Sequence, residues 1–176
     1  MSDRVRYEWS GFRRRWWGPV HVVVRMNSVE ATVGEATVTL DLTERRPADV
    51  RRDRPIPVPF RDGVPVELNG KHVAVVTNEP GGPMGIFFRR ARQVISGDPS
   101  FVLPGMRLTL RALPVFLTLK ADGGTLASTR RWGAPLDDFT WHYSLPGRYG
   151  VVPPRVARGT RPEHVAFWFA MRETHR

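Results

Sequence analysis

The sequence predicts a mainly β fold: an antiparallel sandwich or small barrel of roughly 8–10 short strands, with one amphipathic helix at about residues 83–96. Proline and glycine, 16 of each in 176 residues, interrupt the chain at short intervals. Between them lie segments rich in Val, Thr, Phe and Leu. Short strands at regular turn spacing are typical of sandwiches and barrels rather than of βαβ units. At this length we expect a single domain over residues 1–176.

The clearest hairpin signal is Asn69-Gly70, which lies between two β-type segments, residues 64–68 and 71–77. Asn-Gly supplies the two positive-φ positions of a type I′ turn, whose twist matches that of the flanking strands. Pro65 has no backbone N–H to donate to a neighbouring strand. We therefore expect its strand to be an edge strand, or the proline to face outward.

Other segments alternate between apolar and polar side chains. Val38, Leu40 and Leu42 share one face of their segment, and Met106, Leu108 and Leu110 share one face of theirs. One buried and one solvated face is typical of antiparallel sheets. Further strands are predicted at residues 20–26, 29–33, 36–43, 106–112, 115–120 and 125–129.

Two segments have a helical pattern. Over residues 83–96 the apolar positions Met84, Phe87, Phe88, Ala91, Val94 and Ile95 fall on one helical face. Residues 164–171 are ambiguous, because the capping-box pattern from Thr160 to Glu163 favours a helix. The alternating Val, Phe, Phe and Met in this segment favour a strand, which we prefer for its aromatic content.

Composition excludes several classes of site. The chain has no cysteine, so disulfides, thiolate zinc sites and cysteine nucleophiles are ruled out. No apolar run approaches the roughly 18–20 residues of a membrane-spanning helix, and no signal-peptide core is visible. We expect a cytoplasmic protein without a cofactor or metal.

The charge points to a polyanion. The net charge is +10 and the isoelectric point is about 11.3, in the range of nucleic-acid-binding domains. Of the 27 basic residues only Lys71 and Lys120 are lysines. That bias, together with many Ala, Gly, Pro and Val residues, is also what a GC-rich genome encodes without selection for binding.

Two similar clusters, at residues 12–19 and 129–135, place arginines beside tryptophan and end in a Gly/Pro turn. Arginine forks grip phosphates, and tryptophan faces stack on bases. In the competing interpretation the tryptophans cap the core and arginine stems cover them. The candidate polyanion-binding residues are Arg13, Arg14, Arg15, Trp16, Trp17, Arg89, Arg90, Arg130, Arg131 and Trp132.

The leading functional hypothesis is a non-catalytic binding or assembly module for a polyanion, such as nucleic acid, or for an acidic protein partner. A second hypothesis is a small barrel that binds an apolar or aromatic ligand, either as a binding protein or as an enzyme. Its candidate catalytic residues are Asp138, His142 and Tyr143, a carboxylate, an imidazole and a phenol close in sequence. A third is a structural subunit of a larger assembly, which would pair through strand edges.

Overall fold

The structure is a computed structural model that describes residues 3–43, 63–78, 90–112, 115–129 and 154–174. Within these ranges eleven strands and one helix are present. They are β1 (Val5–Gly11), β2 (Val20–Arg25), β3 (Ser28–Val33), β4 (Ala36–Asp41), β5 (Val64–Leu68), β6 (Lys71–Asn78), β7 (Arg90–Gly97), β8 (Arg107–Ala112), β9 (Val115–Ala121), β10 (Gly124–Ser128), β11 (Arg155–Val156) and α1 (Pro162–Glu173). The predicted mainly β fold is confirmed.

The strands form one antiparallel sheet in chain order, and each strand pairs with the next one along the sequence. The sheet has one strand more than the upper end of the predicted range. It is not a closed barrel, because β1 and β11 are its two ends in the described part of the chain. It is also one continuous sheet rather than the two packed sheets of a sandwich.

The Asn-Gly turn lies where the sequence predicts it. Asn69 and Gly70 have φ angles of 51° and 80° between β5 and β6. The Asn69 side chain also accepts a hydrogen bond from the backbone N–H of Thr37 at 2.8 Å, which ties the turn to β4. β5 pairs on both sides, so Pro65 is not on an edge strand. It faces outward, since Val64 and Val66 on either side of it are buried.

The predicted alternation is confirmed in β4 and β8. Val38, Leu40 and Leu108 are fully buried, whereas Thr37, Thr39 and Arg107 lie on the outer face. Side chains of successive strand residues point to opposite faces, so this pattern places every second residue in the core.

The helix predicted at residues 83–96 is wrong over residues 90–96, which belong to strand β7, and residues 83–89 lie outside the described part. In β7 the inward positions are Gln93 and Ile95, while Val94 is 41% exposed. Because a polar residue faces inward and an apolar one outward, β7 lacks the alternation of apolar and polar residues by which a strand is recognised in a sequence. The apolar residues that remain visible there match a helical spacing by coincidence.

The strand preferred at residues 164–171 is also wrong, because this segment forms helix α1. Pro162 stands in its first turn, where the missing N–H costs nothing. The predicted capping box does not form: the N-cap is Arg161, without a side-chain cap, and the Thr160 hydroxyl instead donates to the Leu126 carbonyl. The residues between the alternating ones are Ala166, Trp168 and Ala170, so the run is apolar on every side.

α1 is buried on all sides because the sheet curls around it. The residues from His164 to Met171 are at most 1% exposed. α1 packs against β2, β3, β4 and β10, and the Trp168 Nε1–H donates to the Leu117 carbonyl of β9 at 3.2 Å. In a flat sheet β2 and β10 would lie about 40 Å apart, since neighbouring strands are about 4.8 Å apart. Contact of one helix with both requires strong curvature.

The first strand is fastened to the same helix. The buried carboxylate of Glu173, at the end of α1, accepts hydrogen bonds from the Tyr7 hydroxyl at 2.5 Å and from Trp9 Nε1 at 3.3 Å. The two ends of the sheet therefore both reach α1 without pairing with each other. The candidate site lies between these two ends.

Candidate functional site: an arginine–tryptophan cleft

The first wall of the site is the connection between β1 and β2, which is anchored by Phe12. Phe12 is 3% exposed, and its ring stacks on Phe169 of α1 with centroids 5.5 Å apart. Its φ is 62°, in the left-handed region that non-glycine residues seldom adopt. This backbone geometry turns the chain sharply as it leaves β1, and the buried ring holds the turn against the core.

Two successive turns follow Phe12, and the second of them, residues 15–18, holds both tryptophans. The Arg15 N–H donates to the Phe12 carbonyl at 3.1 Å, and the Gly18 N–H donates to the Arg15 carbonyl at 2.9 Å. Trp17 faces inward and is 8% exposed, whereas Trp16 is 40% exposed. The two indole rings meet edge to face at 5.7 Å and 84°. The buried ring therefore supports the exposed one.

The second wall comes from the opposite end of the sheet, where the short strand β11 pairs with β10. Ser128 is the register partner of Arg155, and Ala127 that of Val156. The Ala157 N–H donates to the Leu126 carbonyl at 2.9 Å, which holds the segment after β11 against β10. The chain then enters α1, so this wall is fixed on one side by the sheet and on the other by the helix.

Between the two walls lies an open cleft of about 630 Å³, which we call the Arg–Trp cleft. Its lining residues are Arg15, Trp16, Trp17, Thr125, Ser128, Pro154, Arg155, Val156, Ala157 and Arg158. The lining carries three arginines and two hydroxyl side chains, with no aspartate or glutamate among these ten residues. It is therefore cationic and rich in hydrogen-bond donors.

Arginine and tryptophan are layered within the cleft. The guanidinium carbon of Arg158, on the second wall, lies 5.3 Å from the centre of the Trp16 ring on the first wall. The guanidinium carbon of Arg15 lies 5.9 Å from the centre of the Trp17 ring. Both distances are within the roughly 6 Å at which a cation is attracted to an aromatic face. The Arg158–Trp16 contact thus bridges the two ends of the sheet.

Trp17 also holds an unused donor. Its indole Nε1–H is buried and has no hydrogen-bond partner among the described residues. A buried donor without an acceptor costs about 1–3 kcal/mol. The unpaired donor belongs to a residue of the cleft lining, next to the exposed ring of Trp16.

The structure places only some of the site residues predicted from the sequence in the cleft. Arg15, Trp16 and Trp17 line the cleft; Arg13 and Arg14 are exposed on the same connection but are not among the lining residues. Arg90 begins β7, in the middle of the sheet. Seven predicted residues lie outside the described part of the chain: Arg89, Arg130, Arg131, Trp132, Asp138, His142 and Tyr143.

Sequence reasoning missed the second wall. Arg155 and Arg158 lie in a stretch that reads only as irregular, with Pro154 before and Gly159 after them. Their relation to Trp16 depends on the curl of the sheet, which brings together residues more than one hundred positions apart. The available signal was two arginines three residues apart, bounded by a proline and a glycine.

A second polar group lies on the outer face of β1 and β2. The Ser10 Oγ is 2.7 Å from His21 Nδ1, and His21 Nε2 is 3.8 Å from a Glu8 carboxylate oxygen. A hydroxyl, an imidazole and a carboxylate in this order resemble a nucleophilic triad. The His21 and Glu8 side chains are 47% and 55% exposed, however, and Ser10 is the direct cross-strand partner of His21. We interpret the group as solvated cross-strand pairs.

Within the described ranges no group of three or more His, Asp or Glu side chains is placed to hold a metal ion. None of the described helical residues forms a helix long and apolar enough to span a bilayer. Comparison of the chain with protein-family models, with curated proteins and with solved structures found no match, so the site is interpreted from its own geometry.

Proposed function

We propose that this chain is a non-catalytic binding module that engages a polyanion in the Arg–Trp cleft. The observation that carries the proposal is the composition of the cleft. Arg15, Arg155 and Arg158 come from opposite ends of the sheet and converge on one cleft, whose lining residues include no carboxylate. Like charges converge at a cost unless an anion offsets it. Nucleic acid and an acidic protein partner both fit this description.

The donor chemistry of the lining agrees with an anionic ligand. A guanidinium presents a planar fork of N–H donors that matches phosphate or carboxylate oxygens. The hydroxyls of Thr125 and Ser128 add shorter-range donors on the same wall. The net charge of +10 would raise the rate at which an anionic partner meets the cleft, more so at low salt.

The competing hypothesis of a barrel around an apolar ligand receives less support. The space inside the curl of the sheet, where such a ligand would bind, is where α1 packs with its aromatic side chains. The catalytic residues proposed for that case, Asp138, His142 and Tyr143, lie outside the described residues. Binding at a cationic surface cleft uses residues that the structure does describe.

A paired-variant experiment tests the proposal. We would measure the affinity for a labelled oligonucleotide as a function of salt for the native chain and for Arg155→Ala/Arg158→Ala. The matched control is Arg92→Ala/Arg107→Ala, which removes the same charge from exposed positions on β7 and β8, outside the cleft lining. Each single-strand phosphate contact contributes about 0.7 to the slope of log affinity against log salt. The cleft variant should lower that slope by about 1.4.

The control variant should retain most of the slope, because its arginines do not converge on one site. Two results would overturn the proposal. One is salt-independent or absent binding of every polyanion offered, including oligonucleotides, polyphosphate and poly-glutamate. The other is an equal loss in the cleft variant and the matched control, which would mean that net charge alone, and not the cleft, binds the ligand.

A further inference from the structure

The exposed ring of Trp16 is not explained by charge. Among the residues whose side chains the structure describes, it is the one exposed Phe, Trp or Tyr side chain, at 40%. Trp17 meets it in an edge-to-face contact, and the Arg158 guanidinium lies over the ring. The ring is therefore held in place from two sides while much of its surface is left in contact with solvent at the cleft.

A polyanion without flat groups would leave this ring unused. Polyphosphate and acidic peptides pair with guanidinium groups, but they offer no π surface to an indole. Nucleic-acid bases do, and they stack on tryptophan rings and on arginine planes alike. The layered Trp16 and Arg158 thus present two stacking surfaces beside the cationic lining.

We propose that the polyanion bound in the Arg–Trp cleft is a single-stranded nucleic acid, with an unpaired base stacked on Trp16 and the flanking phosphates bound by Arg15, Arg155 and Arg158. This inference rests on the proposed function and narrows it to one class of ligand. A duplex would not suffice, because the faces of its bases are already stacked on one another. The cleft volume of about 630 Å³ lies within the range of roughly 300–1,000 Å³ common for small-ligand sites.

The test separates the base from the charge. Two oligonucleotides of equal length and equal phosphate number are compared by fluorescence anisotropy: one with ordinary bases, and one in which every nucleotide is abasic. Stacking on tryptophan typically contributes a factor of about 5 to 150 in affinity per base. We expect the native chain to bind the normal strand more tightly than the abasic strand by a factor in that range, with the same salt slope for both.

Two variants test whether Trp16 causes the difference in affinity between the normal and the abasic strand. Trp16→Ala should abolish the difference, so that this variant binds the normal and the abasic strand equally. Trp16→Phe keeps a flat ring and should restore most of the difference. Trp17 is not substituted, because it belongs to the buried core. Thermal unfolding of each variant checks folding, and the comparison of the two strands on the native chain needs no variant at all.

The outcomes distinguish the stacking of a base on Trp16 from the binding of a polyanion in the cleft. Equal affinity of the native chain for the normal and abasic strands would overturn the stacking of a base but leave a polyanion site standing. Tighter binding of the matched duplex or of poly-glutamate than of the normal single strand would also overturn it, the latter in favour of an acidic protein partner. Absence of salt-dependent binding to any of these probes would remove the proposed function as well.

Discussion

Arginine lies over tryptophan both in the interior of this molecule and at its surface. In the interior, the Arg172 guanidinium lies 5.8 Å from the Trp168 ring; at the cleft, that of Arg158 lies 5.3 Å from Trp16. Trp168 is 1% exposed and its indole N–H donates to the Leu117 carbonyl, whereas Trp16 is 40% exposed. The two contacts are alike in distance and differ in solvent exposure.

This difference shows what adjacent arginine and tryptophan can and cannot indicate. In the interior both residues belong to α1, and the buried Trp168 ring with its hydrogen bond to the Leu117 carbonyl holds the helix within the curled sheet, so the role of Trp168 is structural. At the cleft the ring adds little to the core, and its exposed surface is available to a ligand. Neither the residue types nor their separation distinguishes these roles. The accessible area of the ring and the identity of its other neighbours do so.

Substitution of the two tryptophans should give the largest contrast. Trp168→Ala removes a fully buried side chain and a hydrogen bond, and large-to-small changes of this kind cost about 3–5 kcal/mol in the free energy of unfolding. Trp16→Ala should cost about 1 kcal/mol, near the centre of the measured distribution for point substitutions. Urea unfolding of both variants measures these changes.

The comparison would break if the two substitutions destabilised the chain equally, because Trp16 would then be a core residue despite its exposure. The Trp16→Phe variant serves as an internal control, since it retains the ring contact with Trp17. Its free energy of unfolding should lie between those of the native chain and Trp16→Ala.

The two arginines should differ in the same direction by a smaller amount. Arg172 is partly buried and one of its guanidinium nitrogens is out of contact with solvent. A desolvated cation–π contact contributes about 2 kcal/mol and an exposed one about 0.5–1 kcal/mol. Arg172→Ala should therefore destabilise the chain more than Arg158→Ala, and only Arg158→Ala should weaken oligonucleotide binding. Weakened binding in a folded Arg172→Ala variant would contradict the division of roles.

Sequence patterns predicted the hairpins well because their signals are local. The Asn69-Gly70 turn and the alternation around Leu40 and Leu108 need only neighbouring residues to be recognised. The two errors share one cause. In β7, Gln93 faces the core and Val94 faces solvent, and residues 165–171 of α1 are apolar on every side. Periodicity is informative only where polar and apolar residues segregate between faces, and neither segment meets that condition.

The cleft could be predicted only in part. The cluster around Trp16 stands out in the sequence because arginine and tryptophan are adjacent there. Which of the two tryptophans is buried follows from the turns after Phe12, and the second wall with Arg155 and Arg158 follows from the curl of an eleven-stranded sheet. A contact between the two ends of a curved sheet leaves no local pattern in the sequence, so the second wall of the cleft could be recognised only in the structure.

The pH dependence of the two regions should also differ, through His164. This imidazole is 1% exposed, and its Nε2–H donates to the Phe101 carbonyl at 2.7 Å. Burial lowers its pKa below the ordinary value of 6.5, and the charge of Arg161 acts in the same direction, while the Phe101 hydrogen bond and Glu163 oppose it. As the pH falls below about 6.5, the unfolded chain binds a proton that the folded chain does not.

The stability contributed by neutral His164 is therefore fully present above about pH 6.5 and is lost as the pH falls through its lowered pKa. The urea midpoint should decrease between about pH 7.5 and 5.5, and His164→Gln, which keeps an N–H donor, should flatten that decrease. The pKa values of Asp3 and Asp98 are lowered from 3.8, so the protonation of these carboxylates affects stability only at a pH below this interval. Guanidinium groups stay charged throughout, so phosphate binding at the cleft should not change over this interval while the chain is folded. A midpoint that did not respond to pH would show that His164 is solvated, and that the interior around α1 is less closed than its packing implies.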